Sequence, residues 1–511
     1  MKTIPQLLNE LADIERPSIF YNDEGFSYKD FVKKVDEVAY GLKKLGLGKG
    51  DRVAIIALNQ PEWLYTFFGS TKIGIEVVAL NVRYREAELN YMLTNSRAKA
   101  VVCLPEFAGF DYQSFFAKAD FPNLEYEIYI GDSERGIPFS ELEGETSDGI
   151  EKMSQEVTEN DTAVIIYTSG TTGRPKGAKL THKSLLSSAV AERDHINATE
   201  SDVGSIHLPL NHVGGVTCTL LTVLTAKGSV VLVPYFDPNK VLSIIENHKV
   251  TIFGGVPTMY HMLFNTNFDE YDVSSVRVAI IGGSAPLKDL VVRIREKFKN
   301  AKIMHLYGLT ESSGACLLSP LVGDVESLFD PRGMPVLGLP IDGYQVKIVD
   351  DRGNELPEGE VGEIAVKGDC VCDGYVGLEK ETSEAFRDGW LFTGDLGYKK
   401  GNLVYFMGRK KEMFVQAGYN VYPAEVETIL ISHPKVAMVA VIGVKDEFYG
   451  EKGVAYVIPE GDVTEEELRD YCSKYIADYK IPKEFIFTNT LPLTPIGKIQ
   501  KSELIKMYEK R

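Results

Sequence analysis

Short apolar runs that stop at glycine constrain this chain more than any other feature. Residues 163–166 lead into Tyr167-Thr-Ser-Gly-Thr-Thr-Gly-Arg-Pro-Lys-Gly177, and 250–253 lead into Gly254-Gly-Val-Pro-Thr258. Residues 276–281 end at Gly282-Gly-Ser-Ala-Pro-Leu287, and 303–306 end at Tyr307-Gly-Leu-Thr-Glu-Ser312. Runs this short and this apolar read as strands buried on both faces. Helical patterns lie between strands: 28–46, with Phe31, Val35, Val38, Leu42 and Leu45 on one face, 61–73 opening at Pro61, 86–93 and 241–246. Further strands read at 52–58, 77–80, 98–104 and 230–233. Strand alternating with helix predicts a parallel sheet covered by helices. Open sheets of that kind bind ligands at the carboxyl ends of their strands, so the glycine turns should share one rim.

The turn after residue 166 has the chemistry of a polyphosphate cradle. Three glycines let the backbone approach a ligand closely. Thr168, Ser169, Thr171 and Thr172 bring hydroxyl donors, and Arg174 and Lys176 bring compensating charge. It is not a Walker A loop, which needs Gly, four residues, then Gly-Lys-Ser/Thr. Five residues after Gly170 stands Pro175, and five after Gly173 stands Ala178. A helical pattern resumes near Lys183.

At 511 residues the chain is too long for one ordinary core, so two or more domains are expected. A formal net charge of -18 argues against a nucleic-acid partner without excluding small anions held by local loops. The six cysteines form no CxxC pair, and Cys370-Val-Cys372 has the wrong spacing for a usual zinc site. Scattered cysteines suggest a reducing compartment. The first residues carry no signal-peptide pattern, no run is long and apolar enough to span a membrane, and Tyr508-Glu-Lys-Arg511 is no peroxisomal address. A cytoplasmic enzyme, monomer or homodimer, is the expectation. Residues 131–160, polar and acidic, read as a surface connection.

Beyond residue 340 the texture changes to short strands at 344–349, 362–367 and 402–407, separated by Gly, Asp and Pro turns. They predict a small antiparallel barrel or sheet closing a large domain. Gly389-Trp-Leu-Phe-Thr-Gly-Asp395 lies among them, and Gly408-Arg-Lys-Lys-Glu-Met-Phe-Val-Gln-Ala-Gly-Tyr-Asn420 follows. The remainder reads as a compact α+β unit, with helices at 423–431 and 464–476 and strands at 435–442, 454–458 and 484–487. Near the end comes Leu491-Pro-Leu-Thr-Pro-Ile-Gly-Lys-Ile499, a turn-rich stretch holding Lys498 on a loop.

In this order the motifs resemble those of the adenylate-forming superfamily: acyl- and aryl-CoA synthetases, adenylation domains and firefly-type luciferases. The resemblance covers nearly the whole chain. It implies an ATP- and acyl-binding adenylation domain over 1–409, of parallel α/β sheets plus a small β-barrel, and a mobile α+β lid over 410–511. Thr168, Ser169, Gly170, Thr171, Thr172, Gly173 and Lys176 would hold the ATP phosphates. Gly283, Ser284, Ala285, Tyr307 and Gly308 would hold adenine. Thr310 would bond the α-phosphate, and Glu311 would be the hard oxygen ligand for Mg²⁺. Asp395 and Arg409 would take the ribose; a carboxylate suits a cis-diol because it offers two acceptor oxygens. His212, Val213, Gly214 and Gly282 would border the acyl pocket. Lys411 would be the hinge, Gly418 the place where the pantetheine arm of CoA passes, and Lys498 the catalytic lysine.

The implied reaction joins a carboxylic acid to ATP as an acyl-AMP with release of pyrophosphate, then passes the acyl group to a thiol with release of AMP. No acidic residue stands in 213–221, where amino-acid-activating relatives usually place one, which favours an uncharged acyl tail. A medium or long chain and an aryl ring both stay open, and Asn211 departs from the aromatic residue common in fatty-acyl relatives. Free CoA is the favoured acceptor. A separate carrier protein is the alternative, and a nucleotide-binding regulator without catalysis is the reading from another class.

Overall fold

A computed structural model describes residues 2–147, 149–168, 174–493 and 499–511 of the protein. Two parallel sheets form its body. In the smaller, the strand order is Lys176–Thr181, Thr162–Thr168, Glu76–Leu80, Arg52–Ile56, Ala100–Cys103, Tyr126–Tyr129, Ile137–Pro138. Every neighbour pair is parallel except the first. In the larger, Lys302–Leu309, Val278–Gly282, Ile252–Gly255, Val203–Ile206, Ser229–Leu232 and Pro17–Tyr21 run parallel side by side. Beyond Lys302–Leu309 the direction alternates through Gly314–Leu318, Val336–Pro340, Leu403–Arg409, Trp390–Lys400, Gly362–Gly368 and Tyr344–Val349. The antiparallel strands expected after residue 340 thus join the large sheet edge to edge.

The central strands are apolar because both their faces are covered. Val53, Ile55, Val77 and Ala79 pack on one side of the small sheet, and Ala54, Ile56, Val78 and Leu80 on the other. Between the sheets' layers, Tyr28–Lys44 and Pro61–Lys72 cross closely; the first is capped by Ser27, whose hydroxyl accepts from Asp30 N, and the second opens at its proline.

The helix expected near Lys183 is present as His182–His195, but the loop after Thr168 does not pass straight into it. Lys176–Thr181 is a strand, antiparallel to Thr162–Thr168 in the register Thr168↔Lys176, and the helix His182–His195 follows it. Its far edge is covered by 373–376: Lys179 N donates to Gly374 O and Val376 N to Gly177 O, each at 2.9 Å. Nor is 131–160 only a surface connection, since Phe139, Leu142 and Ile150 enter the main core. Single apolar residues without a period give no helix or strand signal, yet each fills a gap.

After Phe414 a separate sheet is built from Tyr419–Val421, Phe414–Gln416, Gly450–Pro459 and Val436–Asp446, with Glu484–Phe487 parallel beside Gly450–Pro459. The helices Pro423–Ile431 and Glu465–Ser473 pack against its core. Lys501, opening the helix Lys501–Glu509, places its ammonium 2.9 Å from Glu412 and 2.7 Å from Glu427. Burial works against that charge, and the two carboxylates more than offset it, raising the lysine above its usual range.

Candidate active site

The strands Trp390–Lys400 and Leu403–Arg409 pair so that Asp395 lies opposite Arg409. Arg409 Nε stands 3.6 Å from Asp395 Oδ1, and Tyr307 Oη donates to Asp395 Oδ2 at 2.8 Å. Burial and the neighbouring Asp395 hold the Tyr307 phenol protonated, well above its usual range, so it stays a donor. Behind this corner Gly394 N donates to Glu363 Oε1 at 3.0 Å, and Lys410 Nζ pairs with Glu363 Oε2 at 2.9 Å. Glu363 therefore fixes both strands next to Asp395 and Arg409.

Tyr307 and Gly308 lie near the end of Lys302–Leu309, and Thr310 to Ser312 make a single 3₁₀ turn beyond it. A side chain at Gly308 is impossible: its Cβ would stand 1.7 Å from Gly314 O. That contact lets the strand and its return, Gly314–Leu318, close tightly around Thr310 and Glu311. Glu311 is anchored from 372–375. Tyr375 Oη donates to Glu311 Oε1 at 2.7 Å, and Cys372 N donates to Glu311 O at 2.8 Å. The face of Tyr375 receives Lys176 Nζ, 5.0 Å from the ring centroid. Two sets of contacts result, Arg409–Asp395–Tyr307 and Glu311–Tyr375–Lys176, joined by the short stretch of chain from Tyr307 to Glu311. Among the described residues no three His, Cys, Asp or Glu side chains form a metal cluster. Glu311 alone suits a Mg²⁺ that keeps phosphate and water as its other ligands.

Gly282 pairs with Leu306, beside Tyr307, and Gly283, Ser284 and Ala285 follow in the open, with Gly283 at φ +78°. Across the rim, His212 caps the short helix Val213–Gly215: Gly214 N donates to His212 Nδ1 at 3.0 Å. In the neutral ring the proton then sits on Nε2. Gly215 must be glycine, because a Cβ there would meet Pro209 O at 2.2 Å. Asn59 and Asn81 tie the two sheets together here. Asn59 Nδ2 donates to Ile206 O and Leu208 O, both at 3.0 Å, and Asn81 Nδ2 donates to Asn211 Oδ1 at 3.4 Å.

Lys411 follows the Asp395–Arg409 corner, and partial burial and Arg409 hold its ammonium below the usual lysine range. Gly418 has φ +85° on an exposed turn, next to Ala417, whose N–H donates to Tyr449 O at 3.0 Å. Ser169, Gly170, Thr171, Thr172, Gly173 and Lys498 lie outside the described residues. Thr168 and Lys176, which close the loop, face each other.

Sequence reasoning missed Tyr375 and Glu192. Tyr375 sits in a Gly-Tyr pair with no period, and only the fold aims it at Glu311. Glu192, on the helix His182–His195, is fully buried. Burial pushes it up to about 8, against side-chain hydrogen bonds from Cys218 and Thr222.

The AMP-binding enzyme family matches residues 12–376, and the AMP-binding enzyme C-terminal domain matches 425–498. The chain belongs to the AMP-binding enzyme family. It is an enzyme of the AMP-forming acid–thiol ligase class. It is 34% identical to the 4-coumarate:CoA ligase 1 of Petunia hybrida over 94% of this chain and 89% of that protein. The ATP-bound structure of MatB from Rhodopseudomonas palustris is similar at TM-score 0.86 and 30% identity, covering 99% of each chain. The anthranilate CoA ligase AuaEII in complex with anthranoyl-AMP is similar at TM-score 0.87 and 28% identity, covering 100% of this chain and 98% of that one. Among the described residues no helix is long and apolar enough to cross a membrane.

Proposed function

We propose that this AMP-binding enzyme activates an aryl acid as its adenylate and transfers the acyl group to free CoA. The contacts joining Arg409, Asp395 and Tyr307, and those joining Glu311, Tyr375 and Lys176, support the proposal, since a ribose-binding carboxylate, a metal-binding carboxylate and a phosphate-loop cation would then share one rim. An aryl acid is favoured over a fatty one because the petunia relative is named for coumarate and the AuaEII structure for anthranilate.

Residues 1–409 are the adenylating body and 410–511 the lid. Asp395 and Arg409 bind the ribose, Gly283 to Ala285 with Tyr307 and Gly308 hold adenine, and residues 168–176 hold the phosphates. Lys498 contacts both the attacking carboxylate and the α-phosphate, lowering the repulsion of two anions rather than moving a proton. Thr310 donates to the α-phosphate. Mg²⁺ on Glu311, when bound, offsets phosphate charge. His212, Val213, Gly214 and Gly282 border the acid. Rotation at Lys411 then withdraws Lys498 and brings up the Gly418 face for the thiol.

The surface around Gly418 favours CoA over a carrier protein. Tyr419 stacks on Tyr479 at 4.5 Å, Phe448 beside Tyr449 is 85% exposed, and Lys483 Nζ lies 5.3 Å from the Tyr449 ring centroid. Open rings and a cation suit an anionic nucleotide. The six cysteines are free thiols, which supports a reducing, cytoplasmic setting.

The test is pyrophosphate release with ATP and Mg²⁺ over acids from C2 to C18 and benzoate and cinnamate types, with and without CoA. CoA-dependent turnover on an aryl acid is expected. A single-turnover burst indifferent to CoA would point to a carrier protein instead. Lys498→Ala should abolish adenylate formation and spare thioester formation from preformed acyl-AMP, whereas Lys411→Pro should do the reverse by stiffening the hinge.

A further inference from the structure

Lys411 stands between two residues that are gripped from different parts of the fold. Lys410 is held by the strands Trp390–Lys400 and Gly362–Gly368: its N–H donates to Gly394 O at 2.9 Å, and its ammonium lies 2.9 Å from Glu363 and 2.8 Å from Asp351. Glu412 is held by the last sheet's unit, where Lys501 Nζ lies 2.9 Å from Glu412 Oε2 and 2.7 Å from Glu427 Oε1. Glu427, on the helix Pro423–Ile431, also accepts from Val441 N at 2.7 Å, which fixes the triad to the strand Val436–Asp446.

The charge on the half-buried Lys501 is not what fastens its helix. Leu504, fully buried, packs with Ala440, Ile442, Val454 and Tyr456, and Tyr508 Oη donates to Glu484 at 2.7 Å. Ion pairs taken out of water add little net stability, because desolvation offsets most of the attraction; their best-attested use is to fix register. Burial opposes ionisation of Glu412, and Lys501, with Arg409 and Lys411, more than offsets it, so the carboxyl sits below its usual range. What the triad fixes is the start of the helix Lys501–Glu509 against the connection at 412.

That start is also the foot of the loop carrying Lys498. Leu493 and Ile499 form an antiparallel bridge, and Gln500 N donates to Pro492 O at 2.8 Å. These contacts pinch the chain on either side of 494–498, which lie outside the described residues. The pinch ends at Gln500, and the next residue is Lys501. Lys411 is therefore joined to the foot of the loop by one peptide bond to Glu412 and one ion pair to Lys501.

We propose that Lys501 is a positioning residue for Lys498, taking the roles of Lys498 and Lys411 from the proposed function: by holding Glu412 it fastens the foot of the Lys498 loop to the residue next to the hinge, so that the angle at Lys411 sets where Lys498 stands. Without that link the lid still folds and still turns, but the catalytic ammonium follows the hinge loosely. Thioester formation needs Lys498 withdrawn and not placed, so adenylation is the half-reaction that depends on the triad.

Glu412→Ala and Glu427→Ala in the full-length enzyme test this, since each removes one carboxylate and leaves Lys501 the other. Glu412→Ala should slow single-turnover adenylation by roughly 10- to 100-fold, because misplacing a reacting group by about 1 Å costs up to about a hundredfold. Its KM for ATP and acid, and its transfer of acyl from preformed acyl-AMP to CoA, should stay within about threefold. Glu427→Ala, which also frees Val441 N, should lower the unfolding midpoint more and slow adenylation less. Lys501→Arg should keep most of the adenylation rate, and Lys501→Met should match Glu412→Ala. Native adenylation in Glu412→Ala, equal loss of both half-reactions, or Lys501→Arg as slow as Lys501→Met would overturn the proposal. A second readout needs no turnover: nitroxides on unnatural side chains at 498 and at 380, exposed on the helix Glu379–Ala385, should give a distance distribution that Glu412→Ala broadens and Glu427→Ala does not. Equal breadth in all three proteins would also overturn it. Failure of every acid to support adenylation would count against the enzymatic reading and leave the label distances to decide the coupling.

Discussion

The two ends of three neighbouring strands, Val203–Ile206, Ile252–Gly255 and Val278–Gly282, are built by opposite rules. At the amino ends, Asp202, Thr251 and Arg277 each stand one residue before a strand. Asp202 accepts from Arg277 at 2.7 and 2.8 Å, from the Thr251 hydroxyl at 2.7 Å and from Thr199 N at 2.8 Å. Burial opposes its ionisation, but these donors hold the carboxyl below the usual range. At the carboxyl ends lie His212 and the exposed Gly283 to Ala285. The sheet spends side-chain hydrogen bonds on the end that only has to hold, and leaves bare turn backbone in the open at the other.

Asp202→Ala tests that contrast most strongly. Leaving Arg277 without its partner should cost about 3–5 kcal/mol, nearer the lower figure because Arg277 keeps contact with water, read from denaturant unfolding. Adenylation per folded molecule should stay within about threefold; an unchanged unfolding midpoint would dissolve the contrast. Tyr375→Phe acts at the other end. Losing one hydrogen bond to the ionised Glu311 is worth about 1.5–3 kcal/mol. Half-saturation of pyrophosphate release by Mg²⁺ should rise by roughly 10- to 100-fold with little change in the unfolding midpoint. A stability loss without a Mg²⁺ effect would make Tyr375 structural.

Asp202, paired with Arg277, and the buried Glu192 should also respond oppositely to pH. The Glu192 carboxyl is raised in the folded protein to about 8. Its stabilising effect is therefore full below the unfolded pKa, and it is lost as pH rises through the folded one. The slope is about 1.4 kcal/mol per pH unit at most. Denaturant midpoints at pH 5, 7 and 8 should fall accordingly, and Glu192→Gln should flatten them. Asp202 is depressed, so its contribution is present above the unfolded pKa and lost as pH falls through the folded one. Smallest is Thr251→Val, which removes one donor from Asp202 and should cost about 1 kcal/mol with no change in substrate binding.

How much of this was legible in the sequence depended on whether the cause was local. Apolar runs such as 163–166 and 276–281 announced themselves because strands buried on both faces carry no polar interruption. Lys176–Thr181 did not: Lys-Gly-Ala-Lys-Leu-Thr alternates weakly, and its strand state depends on pairing with Thr162–Thr168 and on cover from 373–376. The segments holding Tyr307, Glu311, Asp395 and Arg409 could be picked out from their strings. The contacts of Asp395 with Tyr307 and Arg409 could not, nor could Tyr375, which is 64 residues from Glu311. Glu192 was missed because the search for an acid followed the chain from 213 to 221, whereas packing brought one in from a neighbouring helix.

The half-buried Lys501 has a consequence for recombination between relatives. Its two carboxylates come from either side of Phe414, where the last sheet begins: Glu427 within that unit, Glu412 in the connection leading to it. A crossover placed at the start of the sheet would separate Lys501 from the residue that evolved opposite it, and an incoming neutral or basic side chain at 412 would strand an ammonium away from water. Moved a few positions upstream, the same crossover transfers the whole triad. The natural seam for exchanging this part of the chain thus lies before Glu412, at the chain segment where Arg409 still pairs with Asp395.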